Sequence, residues 1–257
     1  MGTLNYEVKD NVAVLTIQSP PANALSSALL NDLTEKLDEI ETDNTVKAVV
    51  LNGEGKFFSA GADIKEFTSL QEASDFKALA ERGQKLFDRV ENFSIPVIAA
   101  IHGAALGGGL ELAMACHIRI VSEEAKLGLP EVTLGIIPGF AGTQRLPHYV
   151  GTAKAYEMIL TGKPISGKEA NEAGLANQTV QEGAVFDTAF KLAETIAVKS
   201  KLTINAVMDL IPYAKTEQFS QGVTKEADTF SGIFGSEDAK EGIQAFIDKR
   251  KPNFQDK

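Results

Sequence analysis

One stretch limits what this chain can fold into more than any other: residues 95–118, IPVIAAIHGAALGGGLELAMACHI, where Glu111 is the single formal charge. A run this apolar has to leave water, either into a bilayer or into a protein core. Pro96, four glycines between 103 and 109, His102 and Glu111 all interrupt it. A buried strand, a glycine-rich turn and a short helix in succession accommodate those breaks better than a membrane span does. The stretch therefore predicts the centre of a globular domain. The rest of the chain can build it: 257 residues, 44% hydrophobic and 23% charged, suffice for one large domain or two small ones with a buried core.

Charge and cysteine usage remove further classes. Lys plus Arg is 25 and Asp plus Glu is 35, so the net charge of −10 is poorly suited to wrapping a nucleic-acid backbone. A single cysteine, Cys116, excludes an internal disulfide framework and fits a reducing compartment, so a cytoplasmic protein is expected. The first residues, MGTLNYEVKD, carry Glu7 and Asp10 and lack an apolar segment after a basic start, so they do not read as a secretory leader.

Around the central stretch, β-rich and helical segments alternate. Asn11–Gln18, Val46–Asn52, Pro96–His102 and His117–Ser122 are short runs rich in Val and Ile and predict strands. Ser26–Glu41 places Leu29, Leu33, Leu37 and Ile40 on one helical face behind a capping serine. Phe76, Leu79, Gly83, Leu86, Phe87 and Val90 follow the same period. Repeated β–β–α or β–α units with buried sheets are implied. After about residue 150 the strand signals fade. Ser166–Glu169 reads as a capping box before a short helix that Gly174 can end, and 184–200, 202–214, 217–230 and 236–249 read as helices. The expected organisation is an α/β core over residues 1–195 and a helical region over 196–257, serving as a lid or assembly surface.

Three stretches stand out chemically: Phe58–Asp63, Gly107–Glu111, and Gly128–Glu131 leading to Gly135–Gly139. Each has an ordinary structural reading as a tight turn, a close helix–sheet contact or a solvated loop. Glu111 is harder to explain that way. It falls in the first turn of a predicted helix, between Leu110 and Leu112, where no face reads as wet. A carboxylate there is desolvated and resists ionising, which suits acid–base work near neutral pH. The glycines before it leave N–H groups free for a phosphate or a developing oxyanion. GAALGGG fits neither dinucleotide- nor nucleotide-binding spacing. His102, His117 and His148 lack metal-ligand spacing, and Cys116 has no basic neighbour to activate it.

In this order, FFSAGADIKEF (57–67), PVIAAIHGAALGGGLELAMAC (96–116), KLGLPEVTLGIIPGFAGTQRL (126–146), PISGKEANEAGL (164–175) and the C-terminal EGIQAFIDKRKPNF resemble the enoyl-CoA hydratase/isomerase (crotonase) family. The resemblance runs from about residue 5 to the C-terminus. It implies a spiral of β–β–α turns with a C-terminal helical trimerisation region, assembled as a trimer or a dimer of trimers. It implies an acyl-CoA thioester substrate, no separate cofactor or metal, and neither nucleic acid nor membrane as partner. Position by position, Glu111 and Glu131 match the two acid–base glutamates, and the N–H groups of Ala62 and Gly108 the oxyanion hole. Lys56, Ala60, Asp63, Ile64 and Lys65 match the segment that meets coenzyme A. Lys249, Arg250 and Lys251 either serve a neighbouring subunit's ligand or end a solvated helix. The implied reaction is reversible syn hydration of a trans-2-enoyl-CoA. The alternatives are a methylglutaconyl-CoA hydratase, a Δ3–Δ2 isomerase working with Glu131 alone, or an RNA-binding oligomer on the same fold. Phe140 departs from the glycine-rich run expected there, and either reshapes the acyl pocket or packs.

Overall fold

Val- and Ile-rich segments become strands because branched side chains suit a pleated surface covered on both faces. The computed structural model describes residues 3–63, 66, 73–215, 218–234 and 236–257. In chain order its strands are β1 (Leu4–Lys9), β2 (Val12–Ile17), β3 (Ala48–Gly53), β4 (Phe57–Ser59), β5 (Val97–Ile101), β6 (Ala104–Leu106), β7 (Ile118–Ser122), β8 (Lys126–Gly128), β9 (Ile165–Ser166) and β10 (Gln178–Val180). They form a six-stranded sheet in the order β1-β2-β3-β5-β7-β10 and a four-stranded sheet in the order β4-β6-β8-β9. The larger sheet is parallel except for the β1–β2 hairpin, whose turn residues Asp10 and Asn11 take positive φ. Successive strands β3 and β4, β5 and β6, and β7 and β8 each place one member in each sheet. This is the expected β–β–α spiral.

Helix α1 (Ser27–Thr42) begins where the Ser26 side chain accepts the Leu29 N–H, and it buries Leu29, Leu30, Leu33, Leu37 and Ile40. Helix α2 (Ala73–Glu91) buries Leu86, Phe87 and Val90 of the second predicted apolar face, while the side chain of Phe76 lies outside the described ones. Helix α3 (Gly108–Ala115) follows β6 directly, so the strand and helix predicted within residues 95–118 are both present, but the glycine-rich stretch between them also holds the short strand β6. Among the described residues no helix is long and apolar enough to cross a membrane. Helix α4 (Gly142–Thr161) and the capped α5 (Gly167–Glu172) lead to α6 (Val185–Ala197).

Strand residues alternate between two cores. Ala13, Leu15, Val49, Leu51, Ala99 and Ile101 face the cluster built with α1, α2 and α3. Val12, Val14, Ala48, Val50, Ile98 and Ala100 face Val185, Ala189, Ala193 and Ala197 of α6. Helix α6 thus covers the far face of the sheet, and the division expected at residue 195 falls in its last turn. Beyond it lie α7 (Lys201–Leu210), α8 (Phe219–Phe234) and α9 (Glu237–Ile247). The helix expected over 202–214 becomes a 3-10 turn at Ile211–Lys215, where Pro212 withdraws an N–H. Strand structure also persists past residue 150, in β9 and β10, which are too short to leave a periodic signal.

Candidate active site

The site starts from a turn that only glycine makes easily. Between β6 and α3, Gly107 takes φ 52° and ψ −129°. Its N–H donates to the Gly128 carbonyl at 2.9 Å, and its own carbonyl accepts from Leu110 and Glu111 at 2.9 and 3.0 Å, which opens the helix. Gly108 is then the first helical residue, and its N–H has no intrahelical acceptor. Nearby, Leu25 donates to the Gly61 carbonyl at 2.8 Å and accepts from Asp63 at 3.4 Å. In this parallel bridge between Leu25 and Ala62, the N–H of Ala62 points away from Leu25. A Cβ on Gly61 would lie 3.3 Å from the Gly108 nitrogen, so the 61–62 and 107–108 segments touch.

All eight residues of α3 are buried, and Glu111 is 1% exposed. Its Oε1 accepts the N–H groups of Phe140 at 2.8 Å and Gly142 at 2.7 Å. Burial pushes its pKa up to about 7, with the Glu131 charge adding to the rise, while the two N–H donors and the Arg145 charge oppose it. Desolvation wins over two good hydrogen bonds, as the apolar neighbours in the sequence predict.

Glu131 comes from a different element, the 3-10 turn Glu131–Leu134 that follows Pro130. Its Oε1 lies 3.0 Å from where a Cβ on Gly107 would be. Its Oε2 is buried and accepts no hydrogen bond from the described residues. Burial raises its pKa as well. The structure therefore brings Glu111, Glu131, Gly107 and Gly108 together, with the Ala62 segment against them. Two desolvated carboxylates beside a turn with free N–H donors can move protons while an oxyanion forms.

The donors that hold Glu111, the N–H groups of Phe140 and Gly142, were not singled out from sequence, since backbone groups carry no side-chain signature. Ala141 between them is left-handed (φ 73°), at a cost of roughly 1–2 kcal/mol for a residue with a Cβ. Phe140 packs: its ring sits edge-on to Phe87 at 5.3 Å and 79°, and 3.2 Å from the Cβ position of Gly108.

Lys56 is exposed, while Ala60 and Asp63 are half-buried on the segment beside the site. The Ala60 N–H is taken by the Ala22 carbonyl at 3.0 Å. Ile64 and Lys65 lie outside the described residues. Arg250 forks onto Glu241 at 2.7 and 2.8 Å, and Lys249 and Lys251 remain exposed beside it. Cys116 is buried, with its thiol pushed up to about 12. His117 accepts the Val97 N–H through Nδ1, and burial lowers its pKa to about 4, so it is a neutral packing element. Among the described residues no group of three or more His, Cys, Asp or Glu could hold a metal ion.

The sequence profile of the enoyl-CoA hydratase/isomerase family matches residues 7–257. A probable enoyl-CoA hydratase of Bacillus subtilis is 58% identical over 99% of both chains. A short-chain-enoyl-CoA hydratase of Clostridium acetobutylicum is 41% identical, over 95% of this chain and 94% of its own. The crystal structure of enoyl-CoA hydratase from Bacillus anthracis superposes with a TM-score of 0.95 at 36% identity, covering 99% of this chain and 100% of that one. Sequence and fold agree: the chain belongs to the enoyl-CoA hydratase/isomerase family, whose members process acyl-CoA thioesters.

Proposed function

We propose that this protein is an enoyl-CoA hydratase, adding water reversibly and syn across a trans-2-enoyl-CoA to give the 3-hydroxyacyl-CoA. The observation that carries the reading is a pair of desolvated carboxylates close enough that the Glu131 charge raises the Glu111 pKa, Glu111 fixed by two N–H donors and Glu131 against Gly107 with a buried oxygen left unpaired among the described residues. The thioester carbonyl is held by the N–H groups of Ala62 and Gly108. A water held between the glutamates attacks C3, and one of its protons passes to Glu111. The C2=C3 electron pair moves onto the thioester oxygen as an enolate, where each fixed donor is worth about 2.7–4 kcal/mol in barrier. Glu131 then gives its proton to C2, the carbonyl re-forms, and proton exchange through water resets the pair. A Glu111 pKa of about 7 lets that group take and return a proton at neutral pH with little bias, which suits a reversible reaction.

Coenzyme A enters as part of the substrate and no further cofactor is required. Lys56, Ala60, Asp63, Ile64 and Lys65 form the segment that meets it. Assembly is as a trimer or a dimer of trimers in the cytoplasm. Apolar side chains left exposed on the C-terminal helices, Val207, Ile211, Phe230, Phe246 and Ile247 among them, support an assembled state. The reaction is tested with crotonyl-CoA in deuterated water. The expected product carries one deuterium at C2, on the same face as the new hydroxyl. Unchanged crotonyl-CoA, or deuterium exchange without hydration, would overturn the reading.

A further inference from the structure

Arg145 is buried, 5% exposed, in the first turn of α4. A helix N-terminus repels a cation, so the helix itself gains nothing from its charge. The side chain instead spans two neighbours. Nε donates to Glu91 Oε2 at 2.9 Å and Nη2 to Asp88 Oδ1 at 2.6 Å, both on α2, while Nη1 donates to the Phe140 carbonyl at 2.9 Å. Phe140 is therefore held from both sides: its carbonyl by Arg145, its N–H by Glu111. Gln84 of α2 adds a second hold on the loop, donating to the Gly139 carbonyl at 2.9 Å.

That loop needs holding. Ala141 stands in the left-handed region between the two N–H groups that meet at Glu111 Oε1, a conformation that persists where the surroundings fix it. We propose that Arg145 is a positioning residue for Glu111: by pinning Phe140 to α2 it keeps the two N–H donors converged on one carboxylate oxygen and holds the carboxylate in one orientation. The charged groups acting on Glu111 are Glu131, which raises its pKa, and Arg145, which lowers it with the two N–H donors. Arg145 is itself faced by Asp88 and Glu91. Loss of Arg145 removes a cation and loosens the donors together, so the Glu111 pKa rises further.

The kinetic half of the test rests on the hydratase reading; the titration half does not. Full-length wild type, Arg145→Gln and Arg145→Lys are compared. NMR of carbon-13-labelled glutamate side chains follows Glu111, its resonance identified by its absence from Glu111→Gln. In Arg145→Gln the Glu111 midpoint is expected to rise by about half a unit or more, kcat for crotonyl-CoA to fall about tenfold with its acid limb moved to higher pH, and KM to stay within about twofold. Arg145→Lys keeps the charge and loses the fork, so its kcat falls about threefold with a smaller pKa change. It carries the test if the Gln variant fails to fold. A wild-type midpoint and wild-type kcat in the variants that fold would overturn the proposal. If wild type does not hydrate crotonyl-CoA, the hydratase reading fails, and the titration alone decides the role of Arg145.

Discussion

Helix α3 and the 3-10 turn at Glu131–Leu134 each contribute one glutamate to the candidate site, and little else about them is alike. Every residue of α3 is buried, whereas none of the turn is, and just beyond it Ile136 and Ile137 are 49% and 72% exposed. Glu111 has its orientation set by two N–H donors from the protein. Glu131 keeps a buried oxygen without a partner among the described residues. A buried polar atom left unpaired costs on the order of 1–3 kcal/mol, and a bound water or substrate can recover that. One carboxylate, then, has an oxygen seated by the protein, and the other keeps a buried oxygen that no described residue satisfies.

Removing each carboxyl in turn is the harshest way to break this contrast. Glu111→Gln and Glu131→Gln are each expected to lower kcat for crotonyl-CoA by roughly 10²–10⁴ in steady-state assays. Near-normal turnover in either would take that residue out of the mechanism.

Stability should then separate them. The folded pKa of Glu111, about 7, lies above its ordinary value of 4.5. Folding therefore favours the neutral acid, and its contribution is fully present below pH 4.5 and lost as pH rises through about 7. The loss amounts to about 3 kcal/mol at most. Glu111→Gln keeps an oxygen for the Phe140 and Gly142 donors without the charge, so urea denaturation should show it gaining on wild type at pH 8 relative to pH 5. An equal difference at both pH values would contradict the assigned desolvation. The half-buried Glu131 should show the same trend more weakly in Glu131→Gln.

The smallest effect probes the packing behind Glu111. A Cβ on Gly83 of α2 would come within 2.4 Å of the Phe140 ring, so Gly83→Ala should cost about 1–3 kcal/mol despite its better helix propensity. It should also slow turnover by shifting the loop that holds Glu111. An unchanged melting temperature would show that α2 and the loop are not in firm contact.

What was legible in the sequence follows the same divide. Strands β2, β3, β5 and β7 of the larger sheet, the serine cap of α1, the Ser166–Glu169 capping box and the burial of Glu111 all rest on local patterns, and each appears where the pattern put it, whereas β1 and β10 at the two edges of that sheet were not read. The second sheet was not legible, because its strands of two or three residues are too short for a period. Nor was the seating of Glu111, since Phe140 and Gly142 contribute backbone N–H groups 29 and 31 positions away. Arg145 reads as an ordinary arginine until the fold places Asp88 and Glu91 beside it.

The most direct measurement is the loss of enoyl-thioester absorbance when purified protein meets crotonyl-CoA, run beside the Glu111→Gln variant. Rapid hydration by wild type, reduced at least about a hundredfold in the variant, is the predicted result. No hydration by wild type, or hydration that survives Glu111→Gln, would contradict the two-carboxylate account.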